Sequence, residues 1–171
     1  LNVIFTLFLC VIIITQRKSM QREVLLKQKI GMRLSRIGLL SKVFAVQSFL
    51  KEGFLLTPEQ FSVLYALKEN DGMYIRQLAG ITFKDRPNMT RIVSILESNG
   101  YVNSVLESKG RQVKKLYITE KGLDVCEKML PVILSVWDSS VEGLGENEVD
   151  NFLVTLTRIE DNLRKKTVLQ N

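Results

Sequence analysis

Histidine is absent from the 171-residue sequence. That absence removes Ser-His-Asp and Cys-His nucleophile systems, histidine general bases and histidine metal ligands together. Cysteine is scarce: Cys10 and Cys126 are too few for a four-cysteine zinc site and too few for a disulfide framework. There are only three prolines, and 46% hydrophobic with 25% charged residues is a globular composition rather than a disordered or collagen-like one. The length suits one domain with appendages, able to bury a core without staples. No catalytic residue, metal or cofactor is expected.

Charge is present, and its placement matters more than its sum of +6. Residues 1–75 hold ten basic and five acidic side chains, residues 76–121 nine and four, and residues 122–171 five and nine. The middle stretch is the densest positive segment. It is the footprint expected for a phosphate backbone, although a solvated basic face has the same composition.

Val3 to Thr15 reads VIFTLFLCVIIIT and is almost wholly apolar. Spanning a bilayer takes roughly 20 such residues, so the run is too short to cross comfortably. It lacks the preceding basic region and the small-residue cleavage site of a secretory signal. Residues 1–19 are read as an extension arising from the choice of start site upstream of Met20, with a short membrane anchor or an extra buried segment as alternatives. Cys10 belongs to this run. Cys126 lies in a helical pattern and reads as a small buried hydrophobe rather than a redox sensor.

From residue 20 onward the periodicity predicts helices broken by one hairpin. Residues 21–51 form a long helix with two apolar stripes, Ile30, Leu34, Ile37 and Phe44 on one and Leu39, Val43, Val46 and Leu50 on the other. A helix apolar on two sides needs two covers, the domain's own core and a second subunit. Gly53 ends it, and Thr57-Pro58-Glu59-Gln60 supplies an N-cap, a first-turn proline and a capping box. The next helix, to about Lys68, buries Phe61, Leu64, Tyr65 and Leu67. Asn70-Asp71-Gly72 then turns the chain.

Ile75 to Thr82 is a short helix, Phe83-Lys84-Asp85 a tight connection, and a further helix follows from Pro87. In it Met89, Ile92, Val93 and Leu96 make a buried stripe, while Asn88, Thr90, Arg91, Ser94 and Ile95 lie opposite or beside it. Two short helices, the second apolar on one face and polar to basic on the other, are the helix-turn-helix pattern. One face anchors in the domain and the other lies in a major groove. Asn99-Gly100 caps the second helix. Tyr101–Leu106 and Gln112–Ile118 read as strands of a hairpin whose tip is Glu107 to Arg111. Thr119 caps a helix to about Glu142 with Val125, Met129, Ile133, Val136 and Trp137 on its apolar side. After Gly143 and Gly145, Glu146 to Lys166 is the last helix, with Val149, Phe152, Leu156, Ile159 and Leu163 at roughly heptad spacing.

Three segments, LTPEQFSVLYAL (56–67), IRQLAGITFKDRPNMTRIVSILESNGYV (75–102) and KKLYITEKG (114–122), carry a resemblance to the MarR family of winged-helix transcription regulators. It extends from about Met20 to the end, about nine-tenths of the chain. The resemblance implies a dimer, a regulatory role and the sensing of a small ligand. At the hairpin tip the sequence departs from the family pattern, placing Gly110 and Gln112 where an Asp and an Arg are usual, with Arg111 between them. Arg111 then either enters a minor groove, which attracts arginine, or sits on a poorly positioned tip.

The expected fold is mainly α: a winged helix-turn-helix with a small β-hairpin wing and N- and C-terminal dimerisation helices. The segments are 1–19 (the extension), 20–55 (N-terminal dimerisation helix), 56–122 (DNA-binding domain) and 123–171 (C-terminal dimerisation helices). Expected DNA contacts are Arg91 with Asn88, Thr90 and Ser94 toward base edges, and Lys84, Arg86 and Pro87 at the helix entrance toward phosphates. The hairpin adds Lys109, Arg111, Gln112 and Lys114. Expected dimerisation residues are Ile30, Leu34, Ile37, Val149, Phe152, Leu156, Ile159 and Leu163. The partners expected are double-stranded DNA, a second copy and a small apolar or aromatic effector, in the cytoplasm and without a membrane. The function expected is repression from a palindromic operator. A winged-helix module that binds protein, and a regulator tethered through residues 3–15, are the rival readings.

Overall fold

The computed structural model describes the backbone of residues 2–109 and 111–167 and the side chains of residues 15–18, 20–107 and 113–167. The chain divides into two compact units, Leu1–Val43 and Phe44–Asn171. Helix α1 spans Asn2–Lys51. It therefore starts well before the expected residue 21, since no proline interrupts this stretch and an apolar run is compatible with continued helix. In the first unit Leu34 is half-buried, while Ile30 and Ile37 are 53% and 50% exposed. An i,i+4 pair joins Glu23 to Lys27 at 2.6 Å on its polar side. Among the described residues no helix is long and apolar enough to cross a membrane. The side chains of residues 1–14, and with them Cys10 and most of the apolar run, lie outside the described residues.

The second unit begins in the last two turns of α1, where Ala45 and Phe49 are buried. The two apolar stripes expected on this helix are not what the chain's own core takes. Phe44, Leu39, Val43 and Leu50 are exposed, and the core instead takes Ala45 and Phe49, between the stripes.

Helix α2, Pro58–Glu69, starts as expected: Thr57 Oγ1 accepts from the Gln60 amide and Gln60 Oε1 accepts from the Thr57 amide. Phe61, Leu64 and Leu67 are buried, but Tyr65 is partly exposed. Phe61 meets Phe49 edge-on with ring centroids 5.7 Å apart. The chain then makes a two-residue strand that periodicity did not predict, β1 (Met73–Tyr74), before α3 (Ile75–Thr82) and α4 (Arg86–Ser98).

Strands β2 (Val102–Lys109) and β3 (Arg111–Ile118) form the wing. The antiparallel sheet has the order β1-β3-β2, with Met73 opposite Leu116 and Val102 opposite Ile118. Pairing continues to Lys109 opposite Arg111, so the expected five-residue loop from Glu107 to Arg111 is mostly strand. Residues 107–112 read ESKGRQ and are all polar or glycine, so no apolar periodicity marks the strand ends.

Helix α5, Glu120–Ser140, is capped by Thr119, whose Oγ1 accepts from the Gly122 amide at 3.0 Å and donates to the Gly100 carbonyl at 2.8 Å. Gly122 permits this closure: a Cβ there would overlap the Tyr101 carbonyl oxygen and stand 2.8 Å from Ile118 Cγ1. Cys126, Met129 and Val136 are buried, while Trp137, expected inside, is 50% exposed. Burial pushes the Cys126 thiol above its ordinary value. Helix α6, Glu146–Arg164, has no fully buried residue. Its last turn reaches the helix-turn-helix through the Arg164 guanidinium, 4.5 Å from the Phe83 ring centroid.

The core that carries this unit gathers Phe49, Leu64, Leu67, Leu78, Met89, Leu96, Leu116 and Met129. It draws on α1, α2, α3, α4, β3 and α5, so the helix-turn-helix is seated on all of them.

Candidate nucleic-acid interface

The turn between α3 and α4 is made by Phe83, whose φ of 52° and ψ of 36° place a non-glycine residue in the left-handed region. Only a residue held by its surroundings adopts it. The amide of Lys84 donates to the Ala79 carbonyl at 3.1 Å, closing the end of α3. Asp85 then caps α4. Its Oδ1 accepts from the Asn88 amide at 2.8 Å and its Oδ2 from Asn88 Nδ2 at 2.6 Å. These hydrogen bonds hold the Asp85 carboxyl below the ordinary aspartate range. Arg86 and Pro87 occupy the first turn, where a missing amide hydrogen costs nothing.

The two faces of α4 separate as periodicity requires. Met89, Val93 and Leu96 are buried and Ile92 is half-buried, whereas Asn88, Thr90, Arg91, Ser94 and Ile95 are exposed. Thr90 donates to the Arg86 carbonyl and Ser94 to the Thr90 carbonyl. Their hydroxyl hydrogens are thereby committed, and each oxygen is presented outward as an acceptor. The Asn88 amide is committed to Asp85, a capping role the sequence reading did not assign. Arg91 stands exposed between these groups and has no hydrogen bond or ion pair among the described residues. A guanidinium in that state offers all its donors, in the fork that fits a guanine edge. At the entrance Arg86 is exposed and Lys84 half-buried.

The wing answers differently. Lys114 lies 3.7 Å from Glu97 of α4, tying β3 to that helix and partly neutralising an expected phosphate contact. The backbones of Lys109, Arg111 and Gln112 belong to the strands, but their side chains, and Gly110 altogether, lie outside the described residues. Contacts that the sequence reading missed tie the wing at its base. Asp71 Oδ1 accepts from the Ile118 amide at 2.9 Å, and Lys121 donates to the Asn99 carbonyl at 2.8 Å while its ammonium lies 4.8 Å from the Tyr101 ring centroid. These join residues 47 and 22 positions apart, beyond the reach of local pattern.

Among the expected dimerisation residues, Leu34, Val149, Leu156 and Ile159 are half-buried, and Ile30, Ile37, Phe152 and Leu163 are exposed. Among the described residues no group of three or more Cys, Asp and Glu side chains is placed to hold a metal.

Comparison with known proteins bears on this arrangement. The family model described as MarR family matches residues 56–105, from Leu56 at the approach to α2 into β2. The helix-turn-helix-type transcriptional regulator YybA of Bacillus subtilis strain 168 is 25% identical over 137 residues, covering 77% of this chain and 89% of its own. A MarR-family transcriptional regulator from Rhodococcus sp. RHA1 superposes with a TM-score of 0.68 at 25% identity, over 78% of this chain and 93% of its own. The transcriptional repressor CouR, solved on a 23-mer DNA duplex, does so with a TM-score of 0.69 at 27% identity, over 76% of this chain and 91% of its own. Sequence, reading head and overall fold agree with one another: residues 56–105 match the MarR family, and the chain is similar in sequence and fold to MarR-family and other helix-turn-helix transcriptional regulators.

Proposed function

We propose that the chain acts in the cytoplasm as a homodimeric repressor on a palindromic operator. The observation that carries this reading is α4, anchored by Met89, Val93 and Leu96 and presenting an unpaired Arg91 between the outward oxygens of Thr90 and Ser94. Arg91 reads a base edge, Thr90 and Ser94 border it, and Lys84 and Arg86 hold phosphates beside the helix N-terminus. Arg111, Lys109 and Gln112 extend the contact into the flanking minor groove. CouR, of the same fold and named a repressor, supports both the DNA contact and its sign.

The dimer is assigned to residues 20–55 and 123–171 around a reading head of residues 56–122. Support comes from the large apolar side chains that one chain leaves in water: Ile30, Ile37, Phe152 and Leu163. Two reading heads on one two-fold axis fit half-sites one helical turn apart, about 34 Å. A change in that separation releases the operator. A cleft of about 390 Å³ suits an effector able to cause it, walled by Phe44, Gln47, Ser48 and Lys51 of α1, Glu52 just after it, and Val132 and Ser135 of α5. Phe44 and Val132 take an aromatic body, and Lys51 and Glu52 flank it with charges of opposite sign.

Selection of bound duplexes from a random library, followed by a reporter under the recovered site, tests the reading. A palindrome with half-sites one turn apart, bound with a steep salt dependence and silencing the reporter, is the expected result. Weak, salt-insensitive binding without enrichment would favour a protein-binding module, and activation of the reporter would reverse the sign.

A further inference from the structure

One contact crosses all three strands of the sheet. Tyr74 on β1 pairs with Lys115 on β3, and Lys115 pairs with Val105 on β2. The Tyr74 hydroxyl passes over the central strand and donates to Glu107 Oε2 on β2 at 2.7 Å. Lys115 Nζ lies 3.6 Å from the other oxygen, Oε1, and 5.7 Å from the Tyr117 ring centroid. On the opposite face of β3, Lys114 reaches Glu97 of α4.

The position of this cluster matters. Among the described residues β1 pairs only with Leu116 and Lys115, so from Lys114 outward the hairpin is there a two-stranded ribbon with no third strand beside it. Such a ribbon is marginal by itself and free to twist. Glu107 stands just beyond the point where the third strand stops, and Tyr74 spans the gap. Glu107 is also the only acidic residue between Ser98 and Thr119. On a surface meant for phosphate it is a liability unless its charge is used internally, and here both carboxylate oxygens are engaged.

We propose that Tyr74, Glu107 and Lys115 form a brace that sets the direction and stiffness with which the wing leaves the reading head. Tyr74 and Glu107 are positioning residues: they hold the hairpin, and the hairpin's own basic side chains meet DNA. The hydrogen bond to Glu107 lifts the Tyr74 hydroxyl above the ordinary phenol value, keeping it a donor. The contact with Tyr117, together with the charge of Glu107, lifts Lys115. The proposal rests on the reading of the wing as a DNA contact only for its consequence, and the two are tested separately.

Backbone hydrogen exchange in the DNA-free, full-length protein tests the brace itself. Tyr74→Phe and Glu107→Ala should speed exchange in the paired residues 103–107 and 113–117 about tenfold while α4 keeps its protection. Glu107→Gln, which keeps an acceptor for Tyr74 and loses only the charge, should recover part of the loss. Unchanged hairpin exchange in Glu107→Ala, or equal acceleration throughout α4, would overturn the brace. Hydroxyl-radical footprints on the selected operator test the consequence. The variants should lose protection at the outer edge of each half-site and keep it at the centre. Faster exchange with no outer protection even in the unaltered protein leaves the brace standing and removes the wing from the contact surface.

Discussion

Helices α4 and α6 are both amphipathic, and they end in opposite circumstances. The shorter, 13-residue α4 buries Met89, Val93 and Leu96 beneath α2, α3 and β2, whereas the 19-residue α6 buries nothing fully and leaves Phe152 at 46% and Leu163 at 59% exposure. Each large apolar side chain moved from water to a packed interior stabilises by about 1.5–3 kcal/mol. Helix α4 collects that within its own chain. Helix α6 has it still to collect, and carries Leu153 and Val154 exposed on its other sides as well. The reading head is thus packed within one chain, and on the proposed dimer the arm is what a second copy covers.

The sharpest way to break this comparison is to charge the arm. Leu156→Asp together with Ile159→Asp should leave the reading head folded by circular dichroism but monomeric by sedimentation at micromolar concentration. Operator affinity should fall by about 100-fold or more as the two half-sites lose their linkage. A variant that stays dimeric would move the interface elsewhere.

Next in size is the base reader. Arg91→Ala should lose roughly 1–3 kcal/mol on the selected operator and far less on random DNA, relaxing one symmetric pair of positions. If Arg91→Ala is silent while exposed neighbours on α4 matter, the face of the helix has been assigned wrongly. The head's self-sufficiency is tested by Gly122→Ala, whose Cβ meets the Tyr101 carbonyl. Overpacking of this kind costs about 1–3 kcal/mol in thermal or urea unfolding, and the loss should appear equally in the charged-arm monomer.

Smaller effects separate holding from reading. Lys84→Ala and Arg86→Ala should weaken every duplex alike and reduce the salt slope by about one for each lost phosphate contact. Cys126 is buried on the inner face of α5, so alkylation by iodoacetamide at neutral pH should be negligible in the native protein and fast in urea. Rapid native labelling would mean that α5 opens away from the head.

Local pattern carried the helices, because burial on one side imposes a 3.6-residue period that needs no distant partner to be read. Thr57 with Gln60 and Thr119 with Gly122 are caps closed within three residues and read from the sequence, whereas the equally local cap of Asp85 on Asn88 was not. The buried stripe of α4 follows from spacing alone. The absence of histidine and the concentration of positive charge between residues 76 and 121 likewise needed no structure to argue for binding rather than catalysis.

What only the tertiary structure decided is whatever joins residues far apart in the chain. A two-residue strand such as β1 has no periodicity, so its existence depends on Leu116 and Lys115 arriving beside it. The reach of the wing follows from register. The commitment of Lys114 to Glu97, and the strap from Tyr74 to Glu107, arise where strands and helices meet. Trp137 and the stripes of α1 read as apolar in the sequence, but whether an apolar face is core or interface depends on what stands opposite. Hydrophobic burial is non-directional and specifies that a face be covered, while packing geometry decides by what.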